Sequence, residues 1–132
     1  MTVSIDPQEK LLYVATEDGW GKRVGFTCEL NGLKCSAIIA RHKFGAVFIV
    51  NELLSGCKMF SSQINVFDLL NCDTKEKTLV LIEEKLERFA EMLLDDKSIT
   101  MDDITNEANT KLAEYTKKFG PMPPIEIMED FK

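Results

Sequence analysis

The sequence lacks the residue spacings that most catalytic and metal-binding motifs require. It has a single histidine, and its four cysteines include no Cys-x-x-Cys pair that would indicate a zinc ribbon. The glycine-containing segment 19–23 has neither the spacing of a phosphate-binding loop nor the hydroxyl that holds magnesium in such loops. We therefore predict no catalytic residue, no metal site and no cofactor.

Long apolar runs are also absent. A membrane span would need roughly 18 consecutive apolar residues, and the first residues lack the basic start and apolar core of a signal sequence. We therefore expect a cytoplasmic protein that does not enter a membrane.

A positive charge balance is lacking as well. The chain has 22 acidic and 16 basic residues and a net charge of −6. Residues 1–72 hold seven of each sign, whereas residues 73–132 hold fifteen acids and nine bases. Because phosphate backbones repel a negative protein, we expect no nucleic-acid ligand and predict a basic protein as partner.

The sequence Asn31-Gly32 lies between two alternating apolar segments, which is the strongest short-range pattern for a two-residue β-hairpin. The predicted cross-strand pairs are Leu30 with Leu33, Cys28 with Cys35, Phe26 with Ala37, and Val24 with Ile39. One face of this hairpin is apolar. Buried free thiols are favoured at positions 28 and 35, although this register leaves a disulfide open.

Other apolar segments predict the rest of the N-terminal half. Residues 11–15 are rich in β-forming side chains, and residues 44–50 form an apolar run of the length of a buried strand. Residues 64–71 predict a short helix. The tetrapeptide at 16–19 is polar and contains glycine, which is typical of a turn.

The C-terminal half shows helical periodicity. Apolar residues recur every three or four positions at Leu79, Ile82, Leu86, Phe89 and Leu93, after a predicted N-cap at Asp73. A second helix is predicted from a Thr100-x-x-Asp103 capping box, with its apolar face at Ile104, Ala108, Leu112, Tyr115 and Phe119. Gly120 and Pro121 predict its end.

These elements predict one α+β domain over residues 1–132. An antiparallel sheet of three or four strands in the N-terminal half would pack against two amphipathic helices in the C-terminal half. Residues 120–132 form a proline-containing C-terminal tail, which is expected to pack on its own chain or to be donated as a strand to a partner.

The function that fits this pattern is non-enzymatic protein binding, as in inhibitors, immunity proteins and chaperones. The binding surface is predicted on the helical face or the tail, with an exposed tryptophan as a further contact. The candidate residues are Trp20, Glu83, Glu84, Glu87, Glu91, Asp95, Asp96, Asp102, Asp103, Ile125, Ile127 and Phe131.

Two alternatives remain open from the sequence. A small cysteine-dependent hydrolase or transferase would pair His42 with Cys28, Cys35 or Cys57. The apolar face of residues 79–93 has a spacing that also suits helix pairing, and it would then form a homodimer.

Overall fold

The chain forms a seven-stranded sheet followed by helices. The computed structural model describes residues 3–95 and 98–128. Its strands are β1 (Val3–Ile5), β2 (Lys10–Thr16), β3 (Gly19–Leu30), β4 (Leu33–His42), β5 (Gly45–Glu52), β6 (Lys58–Asn65) and β7 (Glu126–Ile127). Its helices are α1 (Val66–Leu70), α2 (Lys75–Asp95) and α3 (Met101–Phe119). The α+β class and the short helix predicted at 64–71 are confirmed.

The strands are antiparallel in the order β6-β5-β4-β3-β2-β7, and β1 pairs with β3 beside β2. The prediction of three or four strands was too low. It missed β1 and β7, which are three and two residues long and pair with distant parts of the chain. It also missed the edge strand β6, because Ser62 interrupts the apolar alternation at the inward positions Phe60 and Ile64.

The predicted hairpin is confirmed between β3 and β4. Asn31 and Gly32 have φ values of 51° and 88°, as a type I′ turn requires, and Leu30 pairs with Leu33. The registers of Cys28 with Cys35 and of Phe26 with Ala37 are also as predicted.

The β3–β4 ladder ends earlier than predicted. The pair of Val24 with Ile39 does not form, and Val24 pairs instead with Leu11 of β2. Gly25 marks the change of partner, since a Cβ there would lie 2.6 Å from the carbonyl oxygen of Ala37. A side chain at this position would collide with β4, so glycine permits the close approach of the two strands where the β3–β4 ladder ends.

Helix α2 covers the apolar face of the sheet. Its buried residues Ile82, Leu86 and Phe89 join the core formed by β3, β4, β5 and β6, and the Phe89 ring stacks on Phe60 with 4.8 Å between centroids. The apolar face predicted for 79–93 is therefore used in the core. Burial of each such side chain contributes about 1.5–3 kcal/mol.

Helix α3 does not join α2 on this face, so the prediction of two helices on one sheet face was wrong in this detail. Helix α3 packs on the first residues of β3, where the Trp20 ring meets Tyr115 and Phe119. Only Ala108 is buried along the helix. The aromatic residues at the C-terminal end of α3 therefore select its packing site.

The helix boundaries follow local capping. The Thr100–Asp103 capping box is present, and Gly120 ends α3 with a φ of 82°. At α2 the predicted N-cap is displaced by one residue, because the Thr74 hydroxyl accepts the Lys77 amide at 3.2 Å. Asp73 instead forms an ion pair with the Lys77 side chain at 2.9 Å.

Candidate functional site

The predicted acidic residues of α2 lie on its solvent face. At about 100° per residue, Glu84, Glu91 and Asp95 lie on the side of the helix opposite the core residues. Glu87 and Glu83 extend this acidic stripe toward one flank of α2, and all five side chains are exposed. Among the ion pairs of residues 3–95 and 98–128, none involves these carboxylates. The exposed cation Arg88 lies on the same side of α2, so the stripe is negative overall but not uniformly so.

The acids at the start of α3 have a different arrangement. Asp102 is exposed, and the Asp103 carboxylate accepts the Thr100 amide at 3.0 Å as part of the capping box. Asp103 therefore has a structural role as well as an exposed position. Two further candidates, Asp96 and Phe131, lie outside the described residues.

An open apolar groove lies between the C-terminal half of α2, the N-terminal half of α3 and the β5–β6 connector (residues 53–57). Its volume of about 320 Å³ is at the lower end of the range of ligand pockets. We call it the helix groove, and its apolar wall comprises Met59, Phe89, Leu93, Ile99, Ile104 and Ala108. Sequence periodicity placed Phe89, Leu93, Ile104 and Ala108 on apolar faces but gave no sign that three elements would leave a space between them.

The floor of the helix groove is held by a buried carboxylate. Glu52 is almost fully buried, and its two oxygens accept the amides of Leu54 at 2.9 Å and of Ser55 at 2.7 Å. These charge-assisted bonds compensate for the removal of the carboxylate from water. The carbonyl oxygen of Gly56 accepts a hydrogen bond from the Ala15 amide at 2.9 Å, which fixes the connector against β2.

Charged residues of both signs line the helix groove beside the buried Glu52. Asp103 and Glu107 line it together with Lys58 and Lys111. Lys111 lies 4.0 Å from Glu107 and 3.8 Å from Glu114, so two carboxylates share its charge. The α3 side of the groove is therefore negative.

Trp20 is partly buried and packs against the C-terminal end of α3. Its ring makes edge contacts with Tyr115 and Phe119, and its Nε1 donates to the carbonyl oxygen of Gly120 at 3.0 Å. Burial, reinforced by the neighbouring Cys57 side chain, raises the pKa of Tyr115. This placement gives Trp20 a role in attaching α3, which its suggested role as a partner contact did not anticipate.

The described part of the tail returns to its own sheet. In β7, Glu126 pairs with Leu11 and Ile127 pairs with Lys10, and the Met128 amide donates to the Glu9 carbonyl at 3.0 Å. The side chains of Ile125 and Ile127 remain exposed. One backbone edge of β7 is therefore paired with β2 of its own chain, while the two isoleucines still face solvent.

The histidine and the cysteines are not brought together by hydrogen bonds. His42 bonds to Gln63 and to the Phe44 amide in the β4–β5 turn. Cys35 lies seven residues away on the same strand, roughly 23 Å at about 3.3 Å per residue. Hydrogen bonding to Cys28 and burial raise the pKa of the Cys35 thiol, which disfavours the nucleophilic thiolate.

Neither the metal-ligand geometry, the helix hydropathy nor the comparisons with known proteins assign a function. In the part of the chain that the structure describes, no group of three or more His, Cys, Asp or Glu side chains is placed to hold a metal ion. No helix within that part is both long and apolar enough to cross a membrane. No family model, no curated protein and no solved structure matches the chain.

Proposed function

We propose that this protein is a non-enzymatic binding module that holds a basic, amphipathic segment of another protein in the helix groove. The observation that carries the proposal is the groove itself, an open apolar surface with an acidic α3 side.

The apolar wall supplies the affinity in this proposal. Phe89 and Leu93 of α2 face Ile104 and Ala108 of α3 across the groove. One or two apolar side chains of the partner would fill this space and displace water from it. Aromatic or aliphatic anchors in such pockets commonly dominate the energy of protein–protein binding.

The charges select a basic partner. Asp103 and Glu107 lie at the groove, and the acidic stripe runs along the outer side of α2. Complementary charge increases the rate of encounter and suppresses negatively charged competitors. Such long-range attraction weakens as salt is raised, because the Debye length falls from about 10 Å at 0.1 M to about 3 Å at 1 M.

A substitution in the groove wall tests the proposal. Ile99→Arg places a cation in the groove, and Ile99 is already 44% exposed, so the fold should tolerate the change. Val24→Arg is the matched control, because Val24 is 42% exposed and lies on β3 outside the groove. Partners are captured from cells of the source organism with the wild-type protein, and the affinity of each variant for them is then measured by calorimetry.

We expect Ile99→Arg to weaken binding by at least about tenfold and Val24→Arg to leave it unchanged. We also expect the captured segment to be basic and its affinity to fall with salt. Equal affinities for the two variants, or a partner bound equally well at high salt, would contradict the proposal.

A second pair of variants separates the acidic stripe from the groove. One variant replaces Glu83, Glu84, Glu87 and Glu91 by glutamine, and its control makes the same charge change at the exposed residues Glu17, Asp18, Glu29 and Glu126. If the stripe steers the partner, the first variant lowers the association rate more than the second. Equal association rates for the two variants would show that the stripe does not steer the partner.

A further inference from the structure

A second apolar surface lies at the opposite end of β5 from the connector that forms the floor of the helix groove. The three most exposed large apolar side chains of the described residues are Phe44 at 78%, Phe67 at 75% and Leu70 at 71%. Gly45 is the strand partner of Asn65, and Asn65 is the N-cap of α1. The β4–β5 turn that carries Phe44 is therefore adjacent to α1, which carries Phe67 and Leu70.

The turn is basic and well defined. Arg41, His42 and Lys43 are exposed, and the Lys43 ammonium lies 5.6 Å from the centroid of the Phe44 ring. His42 fixes the turn by bonding Gln63 at 3.3 Å and by accepting the Phe44 amide at 3.2 Å. We call residues 41–44 the basic turn.

An acidic hollow lies on the other side of α1, between α1 and α2. Its volume is about 470 Å³. Asp68, Glu76 and Glu84 contribute its carboxylates, and Val80 and Leu81 contribute apolar walls. The remaining cation at the hollow, Lys77, is paired with Asp73 at 2.9 Å. The hollow therefore offers an apolar site with negative charge around it.

We propose that two copies of this chain associate about a two-fold axis through α1, so that the basic turn of each copy enters the acidic hollow of the other. Phe44 would pack on Val80 and Leu81, and Lys43 would face Asp68, Glu76 and Glu84. Phe67 and Leu70 would meet their own counterparts near the axis.

The arrangement of the surface favours a second copy as the occupant. A two-fold interface must be complementary to itself, so each feature needs its complement on the same molecule. The basic turn adjoins the N-terminal end of α1, and the acidic hollow lies between α1 and α2, which together provide such a pair. The apolar face of 79–93, the alternative suggested by the sequence, is covered by the sheet.

Mixing two charge variants of the full chain tests this proposal. One variant is Lys43→Glu, and the other is Glu76→Lys with Glu84→Lys; all three positions are exposed, so both variants should fold. Lys22→Glu, at an exposed position on β3, is the control for a change of net charge. Sedimentation velocity measures the mass of each variant across about 1 to 500 µM protein, with circular dichroism as the check on folding.

We expect the wild-type protein and Lys22→Glu to form dimers with similar affinity. Lys43→Glu and the Glu76→Lys, Glu84→Lys variant should each dimerise at least about tenfold more weakly, because like charges then meet in both contacts. A mixture of the two should form heterodimers, since every contact regains opposite charges. A monomeric wild type, or a mixture that stays monomeric, would overturn the proposal while leaving binding in the helix groove untouched.

Discussion

The indole Nε1 of Trp20 donates a hydrogen bond to the carbonyl oxygen of Gly120 at 3.0 Å, and so joins the second residue of β3 to the residue that ends α3. The Trp20 ring also lies 6.0 Å from Tyr115 and 5.7 Å from Phe119, centroid to centroid, with edge-on geometry in both pairs. Helix α3 is therefore attached at its C-terminal end, which leaves its N-terminal half to border the helix groove.

Replacing Trp20 by Phe tests this attachment. The phenyl ring keeps part of the aromatic packing but leaves the Gly120 carbonyl oxygen without its indole donor. We expect the free energy of unfolding to fall by about 1 kcal/mol or somewhat more, the typical net value of a hydrogen bond plus some lost packing. Urea unfolding followed by circular dichroism measures the change, since the substitution removes the only tryptophan fluorophore. An unchanged stability would show that the contact does not hold α3.

Hydrogen exchange should differ between the two long helices. Helix α2 buries Ile82, Leu86, Phe89 and Ala90, whereas α3 buries only Ala108. Because local opening is easier where few apolar contacts must be broken, amides in the N-terminal half of α3 should exchange at least about tenfold faster than those of α2 around Leu86. Exchange measured by mass spectrometry checks this. Equal protection of the two segments would contradict the one-ended attachment of α3.

The thiols should fall into two classes of reactivity. Cys28 and Cys35 are buried, and the raised pKa of Cys35 reduces its thiolate, whereas Cys57 and Cys72 are partly exposed. In the native protein we expect an alkylating reagent to modify positions 57 and 72 at least about a hundredfold faster than positions 28 and 35. Peptide mass spectrometry after timed labelling assigns the sites, and unfolded protein provides the control. Preferential labelling of Cys28 or Cys35 would instead favour the cysteine-enzyme alternative.

The ion pair of Asp6 with Lys10 predicts an acid dependence of stability. The Lys10 ammonium, 2.6 Å from the Asp6 carboxylate, and the Gln8 amide lower the pKa of Asp6. A lowered pKa in the folded state stabilises the protein above the ordinary carboxyl pKa, and this contribution is lost as pH falls through the folded-state value.

Asp6→Asn should therefore be slightly less stable than the wild type at about pH 6, and the difference should shrink as pH is lowered toward about 2. Thermal unfolding of both proteins across this pH range measures the effect. A difference that persists at the acid end would show that the carboxylate charge is not its source.

Local patterns predicted the elements whose signals lie within a few residues. Asn31 and Gly32 specify a turn by themselves, and the Thr100–Asp103 box specifies a helix start, so both were predictable. The spacing of Ile82, Leu86 and Phe89 likewise identified the buried face of α2. In each case the relevant partners lie within one hairpin or one helix.

Distant pairings were not predictable in this way. Residues 3–5 form a strand because they pair with the edge of β3 around Cys28. Residues 126–127 form a strand because they pair with Lys10 and Leu11 of β2. The helix groove depends on the C-terminal end of α3 packing against Trp20, so that a space is left between its N-terminal half and α2. No local periodicity encodes that choice, so the acidic stripe was foreseen whereas the groove was not.

Hydrogen exchange of the complex with a captured basic partner segment tests the central claim most directly. If the segment occupies the helix groove, its binding should slow exchange of the amides around Phe89, Leu93 and Ile104, with little change in β7. Protection confined to the tail around Ile125 and Ile127, with the groove amides unaffected, would contradict the account and place the partner on the C-terminal strand.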